Sequence, residues 1–288
     1  MERYEIIHEP LTDAFPRLDA GEDRSRWQLS PEQVARFHEQ GFLIDLPLLD
    51  HSHVDELRAR LQRIGDEIEI HAERLYEIES AWRERPNEVV FHFLGAWLVD
   101  RWFHDLVFHP GVTVPLAQLL GEERLRFWHD QVFWKPPHHL GVVPWHQDYS
   151  YWTRTAPAQH VSMFIALDDM SPANGCLQYV PGSQRWGLLP PVAFGGDMEQ
   201  VREHLTPEMG VAFDPVPVEL AVGRVSIHHS HILHGSHANP TDLPRRGVVL
   251  NYMGPDVRVA DGSAPLLSGT PLLKEGETVS GDFFPLVL

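Results

Sequence analysis

The chain has 288 residues, 43% hydrophobic and 22% charged, which is the composition of a globular protein long enough to bury a core. Its formal charge of −18 at pH 7 argues against binding nucleic acid or an anionic membrane through bulk electrostatics. The one cysteine, Cys176, excludes an internal disulfide, and there is neither an apolar run of membrane-spanning length nor a signal-peptide pattern, so we expect a cytoplasmic protein.

The first predicted element is a helix over LSPEQVARFHEQG. Ser30 is placed to cap its N-terminus, Pro31 suits its first position, and Gln33 completes a capping box with Ser30. Gly41 is a natural stop at its C-terminal end. The FLID sequence that follows indicates a short strand.

A second, longer helix is predicted to run from residue 54 until the proline at 86, because apolar residues recur at spacings of three, four or seven. The apolar and aromatic segment 90–120 is expected to form further helices that end at Gly121. Both segments are typical of helices that pack on a neighbouring layer.

From residue 124 onwards the pattern changes to short β-branched or aromatic segments separated by Pro, Gly and Asn turns. Residues 195–217 are expected to be an excursion between strands. This order predicts an α+β protein in which helices pack on a β-sandwich or closed double sheet. We expect one domain over residues 1–288, with helices over about 29–120, a β core over about 124–255 and a C-terminal tail over 256–288.

Three pairs of a histidine and an acidic residue two positions apart occur, at His53/Asp55, His71/Glu73 and His146/Asp148. With 19 His and 41 Asp+Glu in the chain, random placement alone gives about 2.7 such pairs. The first two pairs lie in the predicted long helix, where residues two apart point about 200° away from each other and cannot bind one ion. In a strand such residues share a face roughly 6.5 Å apart. Of the three pairs, His146/Asp148 is therefore the one that is compatible with a metal site.

A further ligand is offered by HHSHILHGSHAN, which carries His228, His229, His231, His234 and His237 in a second predicted strand and its exit. Two His and one carboxylate on adjacent strands make the facial triad that suits non-haem Fe(II). Three coordination positions then stay open for a bidentate cosubstrate and O₂. A tetrahedral zinc site would instead want more His or Cys ligands.

An oxygenase that uses 2-oxoglutarate also needs a cation for the distal carboxylate of that cosubstrate, and the planar fork of arginine binds both oxygens. Arg245 follows His234 by eleven residues and opens the predicted strand RRGVVLNY. Its neighbour Arg246 is expected to face the opposite way, because successive strand residues alternate.

Taken together, these segments resemble the phytanoyl-CoA dioxygenase family of Fe(II)- and 2-oxoglutarate-dependent oxygenases. The matching pieces run in family order from about residue 29 to 253: LSPEQVARFHEQGFLID, WKPPHHLGVVPWHQDYSYW, SPANGCLQYVPGSQ and LHGSHANPTDLPRR. The resemblance implies a double-stranded β-helix core, of the jelly-roll or cupin type, with N-terminal packing helices. It also implies that His146, Asp148 and His234 are the iron ligands and that Arg245 binds the 2-oxoglutarate carboxylate.

Three further assignments follow from the same resemblance. Ser162 resembles a hydroxyl position that assists the 2-oxoglutarate carboxylate, and Gln131 and Lys135 resemble polar residues that line the cosubstrate pocket. Strand alternation from the residues themselves adds Trp152, which is expected on the same side as the two ligands of the HQD motif and therefore in the substrate pocket.

The predicted activity is hydroxylation of an unactivated C–H bond of a small molecule, with O₂ consumed and succinate and CO₂ released. The presence of Asp148 favours hydroxylation over halogenation, since related halogenases have a small residue in place of this carboxylate. Two alternatives stay open at this point. One is a non-catalytic protein that binds a metal and 2-oxoglutarate, and the other is a metal-dependent hydrolase or isomerase of the cupin type, which would have no need of Arg245.

Overall fold

The computed structural model describes residues 6–18, 21–78, 80–193 and 196–288. The helices are α1 (Pro31–Gln40), α2 (His51–Asp66), α3 (Ile68–His71), α4 (Ser80–Glu84), α5 (Ala96–Val99), α6 (Arg101–Leu106), α7 (Pro110–Leu120) and α8 (Pro207–Ala212). The strands are β1 (Phe42–Pro47), β2 (Glu77–Ile78), β3 (Phe91–Leu94), β4 (Arg126–Lys135), β5 (Val143–His146), β6 (Thr155–Ala156), β7 (His160–Ala166), β8 (Leu177–Tyr179), β9 (Val216–Pro217), β10 (Arg224–His229), β11 (His234–Ser236), β12 (Arg245–Met253) and β13 (Arg258–Val259). Within these ranges, no helix has the length and hydropathy needed to cross a membrane.

The strands form two main antiparallel sheets. The larger has seven strands in the order β1-β10-β7-β12-β4-β3-β2, and the smaller has four in the order β5-β11-β8-β9. Strands β13 and β6 make a separate pair. Most neighbouring strands are distant in sequence, as in a double sheet that is wound up from both ends of the β region, whereas β2, β3 and β4 are consecutive, and so are β8 and β9.

Buried apolar side chains cover both faces of the larger sheet. Four residues of α2 pack on one face, with strand residues such as Val248 and Leu250: Val54, Leu57, Leu61 and Ile64. Between these two strand residues, Val249 points to the opposite face and packs with Leu177 and Tyr179 of the smaller sheet. The sheet is therefore a middle layer, with the helices on one side and the smaller sheet on the other.

The sequence signals at the helix ends are present in the structure. Ser30 accepts a hydrogen bond from the backbone of Gln33, and the Gln33 side chain accepts one from the backbone of Ser30, which completes the capping box. Gly41 and Gly121 end α1 and α7 with φ of 89° and 73°, the left-handed conformation that glycine adopts without steric cost.

The prediction of one continuous helix from residue 54 to Pro86 is wrong. Helix α2 ends at Asp66, the short α3 ends at His71, and the chain then pairs with β3 through β2. The backbone N–H of Tyr76 donates to Leu94, so strand pairing with a distant segment overrides the local apolar period. Strand β3 itself lies in the segment 90–120, for which only helices were predicted.

The C-terminal tail packs along β4. The backbones of Leu125 and Val287 are hydrogen-bonded, and the ring of Phe284 stacks on Trp128 with 5.2 Å between centroids. This packing fixes the outer end of β4, the strand whose other end reaches the cavity described below.

Candidate metal centre and adjoining cavity

Two histidines face each other across a strand pair. His146 is the last residue of β5 and His234 is the first residue of β11, and the antiparallel register makes them direct partners. Together with Asp148 they form the one group of three or more His, Cys, Asp or Glu side chains, among the described residues, that could hold a metal ion. One ligand atom from each of the three lies within 4.8 Å of the others.

The HQD motif reaches this arrangement differently from the prediction. Strand β5 stops at His146, and Asp148 begins a 3₁₀ helix, Asp148–Tyr151, so the two residues do not share one face of a strand. The intervening Gln147 is buried; its side-chain amide donates to Gly187 and His231 and accepts from the backbone of Leu189. These bonds hold the turn that brings the carboxylate back to the histidine.

The two imidazoles are held in the tautomer that a metal needs. The Nδ1 of His146 bonds the Pro144 carbonyl at 2.8 Å, and the Nδ1 of His234 bonds the Ile232 carbonyl at 3.1 Å. A carbonyl can only accept, so each Nδ1 carries the proton and each Nε2 offers its lone pair. Both Nε2 atoms lie 3.5 Å from the same atom, Oδ1 of Asp148.

The charge states also suit a metal. Burial by itself would raise the pKa of Asp148, but the neighbouring histidines, His234 first and then His146 and His228, bring it well below its usual range. Burial, followed by the neighbouring His146, lowers the pKa of His234 to about 3. At neutral pH the carboxylate is ionised and His234 is neutral, which is the state in which such groups bind metal ions.

Ser162 is not where the resemblance implied. Its hydroxyl donates to Oδ2 of Asp148 at 3.0 Å. On the sheet it pairs with Asn251, six residues along β12 from Arg245, which is about 20 Å at the usual rise per residue. The structure does not bring this hydroxyl to Arg245, because the register of β7 against β12 places it beside Asp148 instead.

A cavity between the two sheets joins the three ligands to Arg245. It encloses about 400 Å³, including the solvent at its mouth. Its polar lining includes Gln131, as the resemblance implied, and Ser236, which the sequence analysis did not single out. The rest of the wall is mainly apolar, from Phe133, Val143, Phe164, Leu177 and Val249.

Arg245 is buried at the inner end of this cavity, with 1% of its surface exposed. Its Nε contacts the sulfur of Met170 at 3.2 Å and its guanidinium lies 5.3 Å from the centre of the Phe164 ring. Its Nη2 has no hydrogen-bond partner anywhere in the described part of the chain. Arg246 faces the other way and binds both carboxylate oxygens of Asp168, as strand alternation predicted.

Lys135 is fully buried opposite Arg245 in the β4–β12 register, but it does not line the cavity. Its Nζ donates to the hydroxyl of Ser236 at 2.6 Å and to the carbonyls of Ser236 and His237. Lys135 therefore contacts Ser236, which lines the cavity, in place of the predicted contact with the cosubstrate. Burial and the charge of Arg245 lower the pKa of Lys135 well below its usual range.

Trp152 does not line this cavity. It follows the 3₁₀ helix, so strand alternation does not apply, and it is buried in a separate apolar cluster with Trp128, Val257 and Phe284. Tyr151 is the neighbour that approaches the metal ligands: its ring centre is 5.8 Å from that of His146, its hydroxyl donates to Val192, and 43% of it is exposed.

We expect Trp152→Ala to lower the free energy of unfolding by about 3–5 kcal/mol, because it empties a core position. Tyr151→Ala, at a half-exposed site with one hydrogen bond, is expected to cost about 1 kcal/mol. Urea denaturation of both variants measures the difference. Equal stabilities would contradict the placement of Trp152 in the core.

The geometry can be compared with known proteins. The family model described as phytanoyl-CoA dioxygenase matches residues 37–247, which is most of the chain. The chain belongs to the phytanoyl-CoA dioxygenase family. The matched range contains the three candidate ligands and Arg245.

Individual relatives agree with this membership. A phytanoyl-CoA dioxygenase of Arabidopsis thaliana is 24% identical over 268 residues, covering 79% of this chain and 90% of the relative. An ectoine dioxygenase of Nocardia farcinica is 27% identical over 246 residues, covering 80% of each chain. The solved structure of a non-heme alpha ketoglutarate dependent carbocyclase from nogalamycin biosynthesis superposes with a TM-score of 0.71 at 24% identity, over 94% of this chain and all of that one.

The α+β class with a double-stranded β-helix core is thereby confirmed. The family makes the chain a 2-oxoglutarate-dependent non-haem iron dioxygenase, and Fe(II), 2-oxoglutarate and O₂ are confirmed as its cofactors. The residues present fit these groups. Two imidazole nitrogens and one carboxylate oxygen converge as an iron site requires, and a buried guanidinium with an unpaired Nη2, the group that would pair with a carboxylate of 2-oxoglutarate, lines the same cavity.

Proposed function

We propose that this dioxygenase hydroxylates an unactivated C–H bond of a small molecule, with His146, Asp148 and His234 as iron ligands and Arg245 as the partner of the 2-oxoglutarate carboxylate. The observation that carries the proposal is the unpaired Nη2 of Arg245 in the cavity that the three ligands share. When bound, iron and 2-oxoglutarate supply the O₂-dependent oxidation that releases succinate and CO₂.

The two histidines and Asp148 contribute by keeping their ligand atoms in fixed positions. Both histidines are locked through Nδ1, so their Nε2 lone pairs point to one point beside Oδ1 of Asp148. Three protein ligands on one side leave the opposite side for the cosubstrate and O₂. Because the carboxylate fills the third protein position, no vacancy for a halide is left, which favours hydroxylation.

The end of the cavity at Arg245 has the charge and the hydrogen-bond donors that an anion needs. Arg245 keeps its charge at neutral pH, since burial lowers its pKa only to about 10. Lys135 donates to the oxygen of Ser236, which leaves the Ser236 proton free to be donated into the cavity. The apolar walls from Phe133 and Phe164 exclude water, so a carboxylate here would interact with Arg245 more strongly than at the surface.

A small substrate agrees with the relatives and with the site. Matching proteins include an ectoine dioxygenase of Nocardia farcinica and an L-proline trans-4-hydroxylase of Streptomyces griseoviridis, the latter 31% identical over 199 residues. Tyr151 stands half-exposed beside His146, and we propose that its ring forms part of the wall where the substrate approaches. An aromatic wall suits a partly apolar metabolite.

The test is turnover by the purified protein with Fe(II), 2-oxoglutarate and O₂ against a panel of amino acids, compatible solutes and acyl compounds. We expect one succinate for each product molecule, and a product heavier than its substrate by one oxygen atom. Binding of Fe(II) and 2-oxoglutarate with no succinate from any panel member would favour a non-catalytic binding protein. Conversion that is independent of 2-oxoglutarate and O₂ would favour a hydrolase or isomerase.

A further inference from the structure

The two oxygens of Asp148 have different surroundings. Oδ1 faces the Nε2 atoms of both histidine ligands, at 3.5 Å from each. Oδ2 accepts two hydrogen bonds, from Oγ of Ser162 and from Nε2 of His228, each 3.0 Å long. Ser162 and His228 are direct partners in the β7–β10 register, so the larger sheet presents both donors side by side to one carboxylate oxygen.

The direction of the bond from His228 is fixed by the carboxylate that it contacts. An ionised carboxylate can only accept, so Nε2 of His228 carries the proton. Its Nδ1 lies 3.0 Å from the hydroxyl of Tyr179, which lies 2.8 Å from the hydroxyl of Ser226. With a neutral imidazole, Ser226 donates to Tyr179, Tyr179 donates to Nδ1, and Nε2–H donates to Asp148. All of these side chains are buried, which makes the orientation rigid.

We propose that His228 and Ser162 are positioning residues that make Asp148 a one-oxygen ligand. Because both donors hold Oδ2, the metal receives Oδ1 alone, and the coordination position that a second carboxylate oxygen would fill stays open for the cosubstrate or O₂. A carboxylate without this restraint can bind a metal through one or both oxygens. The inference rests on the proposed function, in which Asp148 is an iron ligand. It adds the two hydrogen bonds that determine how many oxygens of Asp148 bind the metal.

From the sequence, His228 is a candidate ligand and Ser162 a partner of the cosubstrate, and neither residue is assigned to Oδ2 of Asp148. His228 lies six residues before His234, and Ser162 lies on a third strand. Partners of this kind orient ligands, and their loss typically weakens metal binding about 10- to 100-fold. A residue that served only the fold would lower stability without altering how the bound metal is coordinated.

Five variants test the proposal: Ser162→Ala and His228→Phe remove a donor, Ser162→Thr and His228→Gln restore one, and His139→Phe is the matched control. His139 is a buried histidine that bonds the carbonyls of Pro86 and Val89, away from the cavity. Each is titrated with Co(II) in the absence of O₂, and the dissociation constant and the visible absorption spectrum of bound Co(II) are recorded with the thermal midpoint.

We expect Ser162→Ala and His228→Phe to raise the Co(II) dissociation constant about 10- to 100-fold and to shift the Co(II) spectrum towards higher coordination number. Ser162→Thr and His228→Gln should return both values to near wild type. His139→Phe should lower the thermal midpoint and leave both values unchanged. Ser162→Ala removes a single hydroxyl oxygen, so it tests the proposal even where His228→Phe fails to fold.

Wild-type affinity and spectrum in Ser162→Ala, or equal losses in the His139 control, would overturn the inference. This failure differs from failure of the proposed function, in which the wild-type protein itself would not form succinate. If the wild-type enzyme forms succinate and Ser162→Ala binds Co(II) as the wild type does, the positioning role is rejected and the proposed function stands.

Discussion

Asp148→Ala is expected to lower 2-oxoglutarate turnover by at least about 1000-fold and to weaken Fe(II) binding. The reason is that Oδ1 of Asp148 is the one anionic atom among the three candidate ligand atoms, at 3.5 Å from both Nε2 atoms. A metal ion in an active site contributes several kcal/mol to the reaction, and each 1.36 kcal/mol is tenfold in rate. Anaerobic Fe(II) titration and succinate formation measure the two effects.

Asp130→Asn is the matched control for this variant. Asp130 is also buried, but its carboxylate accepts from the backbones of Gly95 and Trp97 on the helical side of the sheet. We expect it to alter stability and leave the affinity for Fe(II) unchanged. If Asp148→Ala bound Fe(II) as tightly as Asp130→Asn, the assignment of the metal ligands would be wrong.

Arg245→Met is expected to raise the dissociation constant of 2-oxoglutarate about 100-fold or more and, at the same time, to stabilise the ligand-free protein. Charge-assisted hydrogen bonds contribute about 1.5–3 kcal/mol each, and a guanidinium can form two with one carboxylate. In the free protein, Nη2 is buried without a partner, which costs about 1–3 kcal/mol that the apolar side chain avoids. Isothermal titration with 2-oxoglutarate and urea denaturation measure the two changes.

The adjacent Arg246 provides a control, for which the expected effects on stability and on 2-oxoglutarate affinity are the reverse. It forms a bidentate ion pair with Asp168 on the helical side, so Arg246→Met should destabilise the fold and leave 2-oxoglutarate binding intact. If both variants lost stability and neither lost affinity, Arg245 would be a structural residue. Because burial lowers the pKa of Arg245 to about 10, the affinity of the wild-type protein for 2-oxoglutarate should also fall as pH rises through that value.

The parts of the site that could be predicted from the sequence are those in which the residues lie in or at the end of a strand. Arg245 and Arg246 face opposite ways because β12 pairs regularly with β4 from Arg245 up to a register shift at Asn251, and alternation holds over that stretch. His146 and His234 come together because each lies at the end of a short strand, and the register of β5 with β11 pairs them.

The same reasoning failed where a regular element stops. Alternation placed Trp152 in the pocket, but the strand ends at His146 and a 3₁₀ helix turns Trp152 into the core. Helical spacing continued past Asp66, but α2 ends at that residue, and after the short α3 the chain pairs with β3 through β2. Local periodicity does not indicate where long-range pairing will interrupt it.

Contacts set by register could not be read from the sequence. The role of Ser162 depends on which residue of β10 lies beside it, and a shift of one residue would turn its hydroxyl to the helical side. The support of Ser236 by Lys135 likewise joins residues 101 positions apart. Such contacts follow from the order of strands in the two sheets, which the motifs do not specify.

A crystal structure of the protein with Mn(II) in place of Fe(II), together with 2-oxoglutarate and without O₂, tests the proposed iron ligands and the proposed role of Arg245 at once. We expect the metal to be bound by Nε2 of His146, Nε2 of His234 and Oδ1 of Asp148 alone, with the distal carboxylate of 2-oxoglutarate on Nη2 of Arg245. A metal held by other residues, or a 2-oxoglutarate carboxylate that leaves Arg245 unpaired, would show that these residues do not have the proposed roles.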